Sequence, residues 1–147
     1  MAEKKLRNIF IHGKISADFI ADAIAKHQSK TDIGGHSIFL GQVRADLLDG
    51  SQVTAIDYTC YEEMALKKMD EIRGLIIEKY ALSCMHVYHS LGTVRTGEIC
   101  LFVFTSSAHR KSAIEACSET VELIKSELPV WGREILSDET HQWKKNK

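Results

Sequence analysis

The chain has 147 residues, a length typical of one folded domain, and we expect a single domain over residues 1–147 with a polar tail from about 138. A content of 44% hydrophobic and 27% charged residues with one proline excludes a disordered, collagen-like or low-complexity chain. The net charge of −1 provides no basic field for non-specific binding of nucleic acid or an anionic membrane, so any anion site must be local.

The N-terminal segment contains neither a secretory apolar core nor an apolar run long enough to span a bilayer. We therefore expect a cytoplasmic protein with no membrane segment. The cysteines are widely spaced and form no C-x-x-C pair, which argues against a zinc site and a disulfide scaffold. They are predicted to be buried core thiols: Cys60, Cys84, Cys100 and Cys117.

The first half of the chain predicts one helix and three strands. A strand over 7–12 is followed by Ser16, a suitable helix N-cap, and by apolar residues at helical spacing up to His27. Strands are predicted over 36–43 and 53–59, and the polar loop between them suggests a hairpin.

The second half predicts two helices and three strands. A helix over 62–80 is followed by strands over 84–89 and 99–104, the latter apolar enough to be buried on both faces in mid-sheet. A turn is expected between those two strands, over 92–97. A third helix is predicted to begin in the run Ser106-Ser107-Ala108-His109-Arg110 and to end by Pro129. Its regularly spaced apolar residues form a seam expected to be buried: Ile114, Cys117, Val121, Ile124 and Leu128. A last strand is predicted over 131–136. This order predicts a sheet packed with helices, of the α/β or α+β class.

The start of the third helix is the most informative local pattern. A helix N-terminus presents free backbone N–H groups, and Arg110 adds a guanidinium suited to phosphate, so the segment could bind an anion. The alternative is that Ser106 or Ser107 only caps the helix while His109 and Arg110 are solvated.

Lys125 and Arg44 are further candidates. Lys125 lies next to the apolar seam, so its amine could reach a cleft where partial burial lowers its pKa, although a solvated surface lysine is the commoner case. Arg44 ends a strand beside a loop and could contact an anionic ligand or be solvated. His86 and His89 are three apart on a strand and point to opposite faces, so they cannot both face one ion without distortion, and we expect no metal site.

Five ordered segments resemble the large, catalytic subunit of molybdopterin synthase, over about Gly35 to Trp143. They are Phe39-Leu40-Gly41-Gln42-Val43-Arg44, Tyr58-Thr59-Cys60-Tyr61-Glu62-Glu63-Met64-Ala65, His89-Ser90-Leu91-Gly92 with Gly97-Glu98, Ser107-Ala108-His109-Arg110, and Lys125 followed by Pro129-Val130-Trp131.

The resemblance implies an α+β fold of the α/β hammerhead type, with a mixed, mainly antiparallel sheet and about three helices. It implies a homodimer within a heterotetramer that carries a small ubiquitin-like sulfur-carrier subunit at each end. The implied reaction moves sulfur from the C-terminal thiocarboxylate of that subunit onto cyclic pyranopterin monophosphate, which forms the molybdopterin dithiolene. No metal and no other cofactor is implied.

The resemblance also assigns roles to residues. Arg44, His109 and Arg110 would bind the phosphate-bearing pterin, with the His-Arg pair donated by the neighbouring subunit. Lys125 would lie near the partner's tail and act in acid–base or covalent chemistry. The tail itself would enter as an extended segment held by backbone hydrogen bonds.

The chain departs from this family at Gly132, where many members have a lysine, and at Ser90, which replaces a frequent arginine. One hypothesis is that Arg133 reaches the same pocket and binds phosphate without transferring protons. Two alternatives to the enzyme stay open. The first is a non-catalytic scaffold of the same fold that binds the carrier subunit or the pterin, and the second is an unrelated α/β domain that binds an acyl or phosphate ligand through His109 and Arg110 alone.

Overall fold

The computed structural model describes residues 5–138 and 140–144, within which three helices and eight strands follow the predicted order with two short strands added. In chain order the elements are β1 (Phe10–His12), α1 (Ala17–His27), β2 (Gly35–Gln42), β3 (Leu47–Leu48), β4 (Ser51–Cys60), α2 (Glu62–Tyr80), β5 (Cys84–Arg95), β6 (Ile99–Ser107), α3 (Arg110–Glu127), β7 (Val130–Leu136) and β8 (His141–Trp143).

The strands form one sheet in the order β2-β6-β5-β4-β7-β8, with β1 added to β5 and β3 paired with β4. The β1–β5 pair is parallel and the other pairs are antiparallel. The long strand β5 joins two halves of the sheet, because 84–89 pair with β6 whereas 92–95 pair with β4. The expected mixed, mainly antiparallel sheet with three helices is confirmed.

Strand β6 is buried on both faces, as its continuous apolar run predicts. Phe102 and Phe104 pack on one face with side chains of α1, while Leu101 and Val103 pack on the other with α2 and α3. Burying side chains of this size stabilises the fold by about 2 kcal/mol each. The result is three layers, with α1 on one side of the sheet and α2 and α3 on the other.

The helix boundaries follow local signals. The hydroxyl of Ser16 accepts a hydrogen bond from the backbone N–H of Phe19 at 3.1 Å and caps α1 as predicted. Helix α2 ends at Ala81, which adopts a left-handed conformation with φ 50°. It buries a stripe of Ala65, Met69, Ile72 and Ile76.

No helix within the described ranges 5–138 and 140–144 is both long and apolar enough to cross a membrane.

The predicted hairpin of 36–43 with 53–59 is wrong. Strand β2 pairs with β6, and β4 pairs with β5 and β7. The loop between them forms the short strand β3, which makes a local hairpin with the start of β4 instead. The prediction paired strands that are adjacent in the chain. The buried strand β6 needs a hydrogen-bonded strand on each of its edges, and β2 occupies one edge while β5 occupies the other.

The third helix begins later than predicted. Ser106 and Ser107 are buried in β6, paired with the start of β2, and His109 occupies the N-cap position. The Ser107 hydroxyl accepts a hydrogen bond from the backbone N–H of His109 at 3.3 Å. Ile114 was expected in the buried seam but is 55% exposed.

Three other expectations need revision. The turn expected over 92–97 is shorter, because β5 continues to Arg95 with Gly92 at φ 77° inside it. Burial is confirmed for Cys100 and Cys117, whereas Cys60 and Cys84 are half-buried. The predicted polar tail forms β8, which pairs with β7, while its positions 139 and 145–147 and the N-terminal residues 1–4 lie outside the described residues.

Gly34 fixes the contact between the start of β2 and the start of α3. A Cβ atom there would lie 2.0 Å from the carbonyl oxygen of Ala108, so the backbone would have to move. We predict that Gly34→Ala lowers the free energy of unfolding by about 2 kcal/mol, as overpacked sites do. Gly74→Ala, in α2 with nothing within 4 Å, should raise it by about 1 kcal/mol. Urea unfolding followed by circular dichroism measures both, and a stabilised Gly34→Ala protein would contradict this packing.

Candidate active site

Lys125 lies in the last turn of α3 and points into a pocket bounded by β4, β5, β7 and the residue after β8. The pocket has a volume of about 360 Å³ including its open mouth. Its walls combine polar and apolar side chains with one glycine: Tyr58, His89, Ile124, Lys125, Leu128, Val130, Gly132 and Lys144. Lys125 was a candidate because it lies next to the apolar seam of the helix. The structure places it at the edge of a cleft, as that position indicated.

The surroundings of Lys125 lower the pKa of its amine. Burial is the main cause, and the positive charge of Lys144 adds to it. A larger fraction of the amine is therefore neutral at a given pH than for a solvated lysine, which suits acid–base or nucleophilic chemistry.

His89 and Tyr58 form a neutral wall beside Lys125. His89 is buried, and its Nδ1–H donates a hydrogen bond to the carbonyl oxygen of Ser90 at 2.7 Å, which leaves Nε2 as an acceptor. Burial lowers the pKa of His89 to about 4, so the ring is neutral at neutral pH. Its edge packs on Tyr58 with ring centroids 5.1 Å apart, and burial raises the pKa of that phenol. Among the lining residues, charge therefore comes from the two lysines.

Gly132 lets β7 lie against the wall of the pocket. A Cβ atom at this position would be 2.8 Å from Cγ2 of Ile56 and 3.1 Å from Cε1 of Tyr58. Any larger residue would force these side chains to shift. The missing side chain therefore follows from close packing of β7 on β4.

Lys144 brings a second positive charge to the pocket, and no role was expected for this residue from the sequence. Its backbone N–H donates a hydrogen bond to the carbonyl oxygen of Gly132 at 2.8 Å, directly after strand β8. The one available signal was Trp143, an isolated apolar residue in a polar tail, which is compatible with a short edge strand. Lys144 thus lies beside the position where the expected lysine is absent.

Arg133 does not line this pocket, although the sequence hypothesis placed it there. Successive residues of a strand point to opposite faces, so Arg133 points away from the side on which Gly132 meets the pocket. Its guanidinium pairs with the carboxylate of Asp57, its neighbour on β4, at 3.2 Å. The structure therefore separates Arg133 from the pocket it was expected to reach.

His109 and Arg110 lie at the opposite end of α3 from Lys125. Both are exposed at the N-terminus of the helix, where free backbone N–H groups favour anions. Arg110 precedes Lys125 by fifteen residues, which is about 22 Å along a helix that rises 1.5 Å per residue. Within one chain the pair therefore lies at the other end of α3 from the Lys125 pocket.

Arg44 is exposed just beyond β2, and its Nε lies 3.1 Å from Oδ1 of Asp46. The preceding residue, Val43, is buried in the same apolar cluster as Tyr58, which lines the Lys125 pocket. The guanidinium can exchange its exposed carboxylate partner for another anion, because such solvent-exposed pairs contribute about 0–1 kcal/mol.

Comparison with known proteins agrees with the fold and the sequence pattern. The family model described as "MoaE protein" matches residues 14–127. The "Molybdopterin synthase catalytic subunit" of Pyrococcus abyssi is 38% identical over 124 residues, which are 84% of this chain and 82% of the relative. The protein of the same name from Drosophila melanogaster is 36% identical over 92% of this chain, but this chain spans only 38% of that relative's length.

Two solved structures share the fold. The crystal structure of molybdopterin synthase from Staphylococcus aureus superposes with a TM-score of 0.79 at 25% identity, and the match covers 98% of this chain and 99% of that one. A complex of subunits 1 and 2 of the molybdopterin-converting factor from Helicobacter pylori gives a TM-score of 0.79 at 19% identity, over 94% and 90% of the two chains. With a family model covering most of its length and a relative 38% identical over most of both chains, this chain belongs to the MoaE protein family.

Proposed function

We propose that this protein is the catalytic subunit of a cytoplasmic molybdopterin synthase. It transfers sulfur from the C-terminal thiocarboxylate of a small ubiquitin-like subunit to cyclic pyranopterin monophosphate and so forms the molybdopterin dithiolene. The observation that carries the proposal is the half-buried amine of Lys125, with its lowered pKa, in a pocket with a neutral wall in a member of the MoaE family.

Lys125 is the proposed catalytic residue. Its partly neutral amine can accept a proton from the reacting pterin. Alternatively, once the tail's sulfur has bonded to the pterin as a thioester, the amine can attack the acyl carbon. That attack expels the sulfur on the pterin as a thiol and leaves the tail on Lys125 as an amide, which water then hydrolyses. His89 offers a neutral Nε2 acceptor in the same pocket, which can orient a donor group of the substrate. The apolar side chains of Ile124, Leu128 and Val130 limit the access of water.

Lys144 is proposed to replace the charge that is absent at Gly132. Its ammonium adds to the positive potential of the pocket, which attracts the phosphate or the thiocarboxylate. It also lowers the pKa of Lys125 by repulsion. With this charge in the pocket, the departure at Gly132 no longer favours a non-catalytic scaffold over the enzyme.

The carrier subunit is proposed to dock beside the pocket mouth. Tyr61, Met64 and Trp131 are large apolar side chains exposed by 63%, 60% and 44%, and the rings of Tyr61 and Trp131 pack edge to face with centroids 5.1 Å apart. Trp131 directly precedes Gly132 of the pocket. Exposed aromatic residues of this kind are enriched at protein interfaces, and from there an extended tail can reach Lys125.

A second copy of this chain is proposed to complete the site. Because the N-terminal end of α3 lies about 22 Å along the helix from Lys125, we expect the His109 and Arg110 that bind the same pterin to come from a neighbouring protomer. In the described ranges, β2 pairs with β6 alone and exposes Ile38, Phe39 and Leu40 by 37–39%. An exposed apolar edge strand favours association between chains. Arg44 ends this strand and would contact the substrate phosphate, and two carrier subunits would complete a heterotetramer.

We predict that Lys125→Ala lowers the rate of molybdopterin formation by about 10²- to 10⁴-fold, the usual contribution of a positioned acid–base group. The measurement is a single-turnover assay with thiocarboxylated small subunit and cyclic pyranopterin monophosphate, with product detected as its fluorescent oxidation product. Lys67→Ala is the matched control, because Lys67 is an exposed lysine that pairs with Glu63 on α2. Complex formation without product from the unmodified protein would establish the scaffold alternative instead.

We predict that Lys144→Ala moves the pH dependence of this reaction to higher pH. Loss of the neighbouring charge raises the pKa of Lys125, so the limb of the rate profile that follows its titration shifts upward. Lys144→Arg retains the charge and should keep the original profile. Single-turnover rates measured across a pH series test this, and an unchanged or downward-shifted limb in Lys144→Ala would rule out the proposed coupling.

A further inference from the structure

A cluster of three potential metal ligands lies on the α1 side of the sheet, away from the Lys125 pocket. His27, Cys84 and His86 place one ligand atom each within 4.8 Å of one another. The two histidines are closest, with 3.0 Å between their Nε2 atoms. Residues 86 and 89 of β5 point to opposite faces, so this cluster is separate from the site that holds His89.

The fold presents these atoms in a preset arrangement. Cys84 and His86 are two apart on β5 and therefore face the same side of the sheet. His27 is the last residue of α1 and is only 7% exposed. Its Nδ1–H donates to the carbonyl oxygen of Ala23 at 2.7 Å, which fixes the tautomer and leaves the Nε2 lone pair aimed at His86. A backbone carbonyl orients metal-binding histidines in the same manner.

The spacing suits a tetrahedral ion. Zn–N bonds of about 2.1 Å place two imidazole nitrogens about 3.4 Å apart, and a Zn–S bond of about 2.3 Å places the sulfur about 3.6 Å from each of them. The Nε2–H of His86 donates to Nε2 of His27 across 3.0 Å. Binding of an ion therefore needs a small expansion of this gap, a shift of the His86 proton to Nδ1, and loss of the Cys84 thiol proton to solvent. The three ligand atoms lie within 4.8 Å of one another, and a side-chain shift at the half-buried Cys84 and His86 can shorten the sulfur–nitrogen distances to about 3.6 Å.

Positively charged side chains lie near the three ligand atoms, and one of them must move when an ion binds. The exposed Lys30 ammonium lies 2.7 Å from Sγ of Cys84 and can turn into solvent when an ion takes its place. Arg73 is held by the carbonyl oxygen of Met85. His36 is hydrogen-bonded to the hydroxyl of Ser106 through Nδ1 at 2.6 Å, and it is not part of the group whose ligand atoms lie within 4.8 Å of one another. A bound thiolate offsets one positive charge of a divalent ion, which reduces repulsion from these cations.

We propose that His27, Cys84 and His86 form a binding site for a divalent ion of the zinc class, with a fourth position open to water. Two imidazoles and one thiolate are borderline-soft ligands that favour zinc, cobalt or copper over magnesium or calcium. The ion links the end of α1 to β5, so binding stabilises the packing of that helix on the sheet. The proposal does not depend on the sulfur-transfer reaction.

Cobalt titration of untagged, chelator-treated protein tests the site. Co²⁺ bound by a thiolate gives a charge-transfer absorption band in the near ultraviolet, and Zn²⁺ should abolish that band by competition. We expect one ion per chain and a Zn²⁺-dependent rise in melting temperature, since an ion that binds only the folded state stabilises it.

Single substitutions then assign the ligands. Cys84→Ser should remove the charge-transfer band, and His86→Gln should weaken Co²⁺ binding by at least about tenfold, because loss of even an outer-shell partner of a metal ligand costs about 10- to 100-fold. Cys60→Ser, at another half-buried thiol, and His12→Gln, at an exposed histidine, are matched controls that should bind as the unmodified protein does.

Absence of the band in the unmodified protein, which does not depend on how any variant folds, would overturn the proposal. So would a band that persists in Cys84→Ser, or equal affinity in folded His86→Gln. Circular dichroism of each variant establishes that the fold is retained before affinities are compared.

Discussion

The burial of β6 on both faces is the constraint on which the rest of the structure depends. Its run from Cys100 to Ser107 is buried throughout, so helices must cover both sides of the sheet. Helix α1 covers the side of Phe102 and Phe104, and α2 and α3 cover the side of Leu101 and Val103. This layering brings the end of α3, with Lys125, to one face of β5 and the end of α1, with His27, to the other. Both proposed sites therefore follow from one buried strand.

Electrostatics on the α3 side are set by burial more than by charge pairing. Burial lowers the pKa of His89 and of Lys125 and raises that of Tyr58, so each group is shifted towards its neutral form. Lys144 adds a positive charge to that of Lys125, while the other polar wall residues, His89 and Tyr58, are neutral. A site of this kind favours an anionic substrate while keeping part of the Lys125 amine available for chemistry.

Periodicity and local signals predicted most of the elements. The apolar stripe of α2, the Ser16 cap of α1 and the buried run of β6 are encoded in short stretches of sequence, and the structure agrees with each. The pairing between strands could not be predicted from local signals, because β2 and β4 pair with strands that are far away in the chain, β6 and β7. The predicted hairpin failed for this reason, and the start of α3 was misplaced because Ser106 and Ser107 resemble caps although they extend β6.

The candidate site was predicted in part. The spacing along α3 and the family resemblance both indicated Lys125. Lys144 could not be predicted, because it reaches the pocket only through pairing of β8 with β7 and a backbone hydrogen bond to Gly132. Arg133 was expected in the pocket because it is adjacent to Gly132 in the chain. Side chains alternate along a strand, however, and its guanidinium pairs with Asp57 instead. The metal-ligand cluster joins residues 27 and 84–86, which are far apart in the chain and have no motif spacing.

The central claim is that each active site combines Lys125 of one protomer with Arg110 of another, since one helix holds them about 22 Å apart. Hybrid dimers purified through two different affinity tags test it directly. A hybrid of an Arg110→Ala chain with a Lys125→Ala chain should have about half the activity of the unmodified dimer, because one of its two symmetry-related sites is intact. A hybrid of the double variant with an unmodified chain should be inactive. The reverse result, an inactive first hybrid and an active second, would place both residues in one protomer's site and contradict the account.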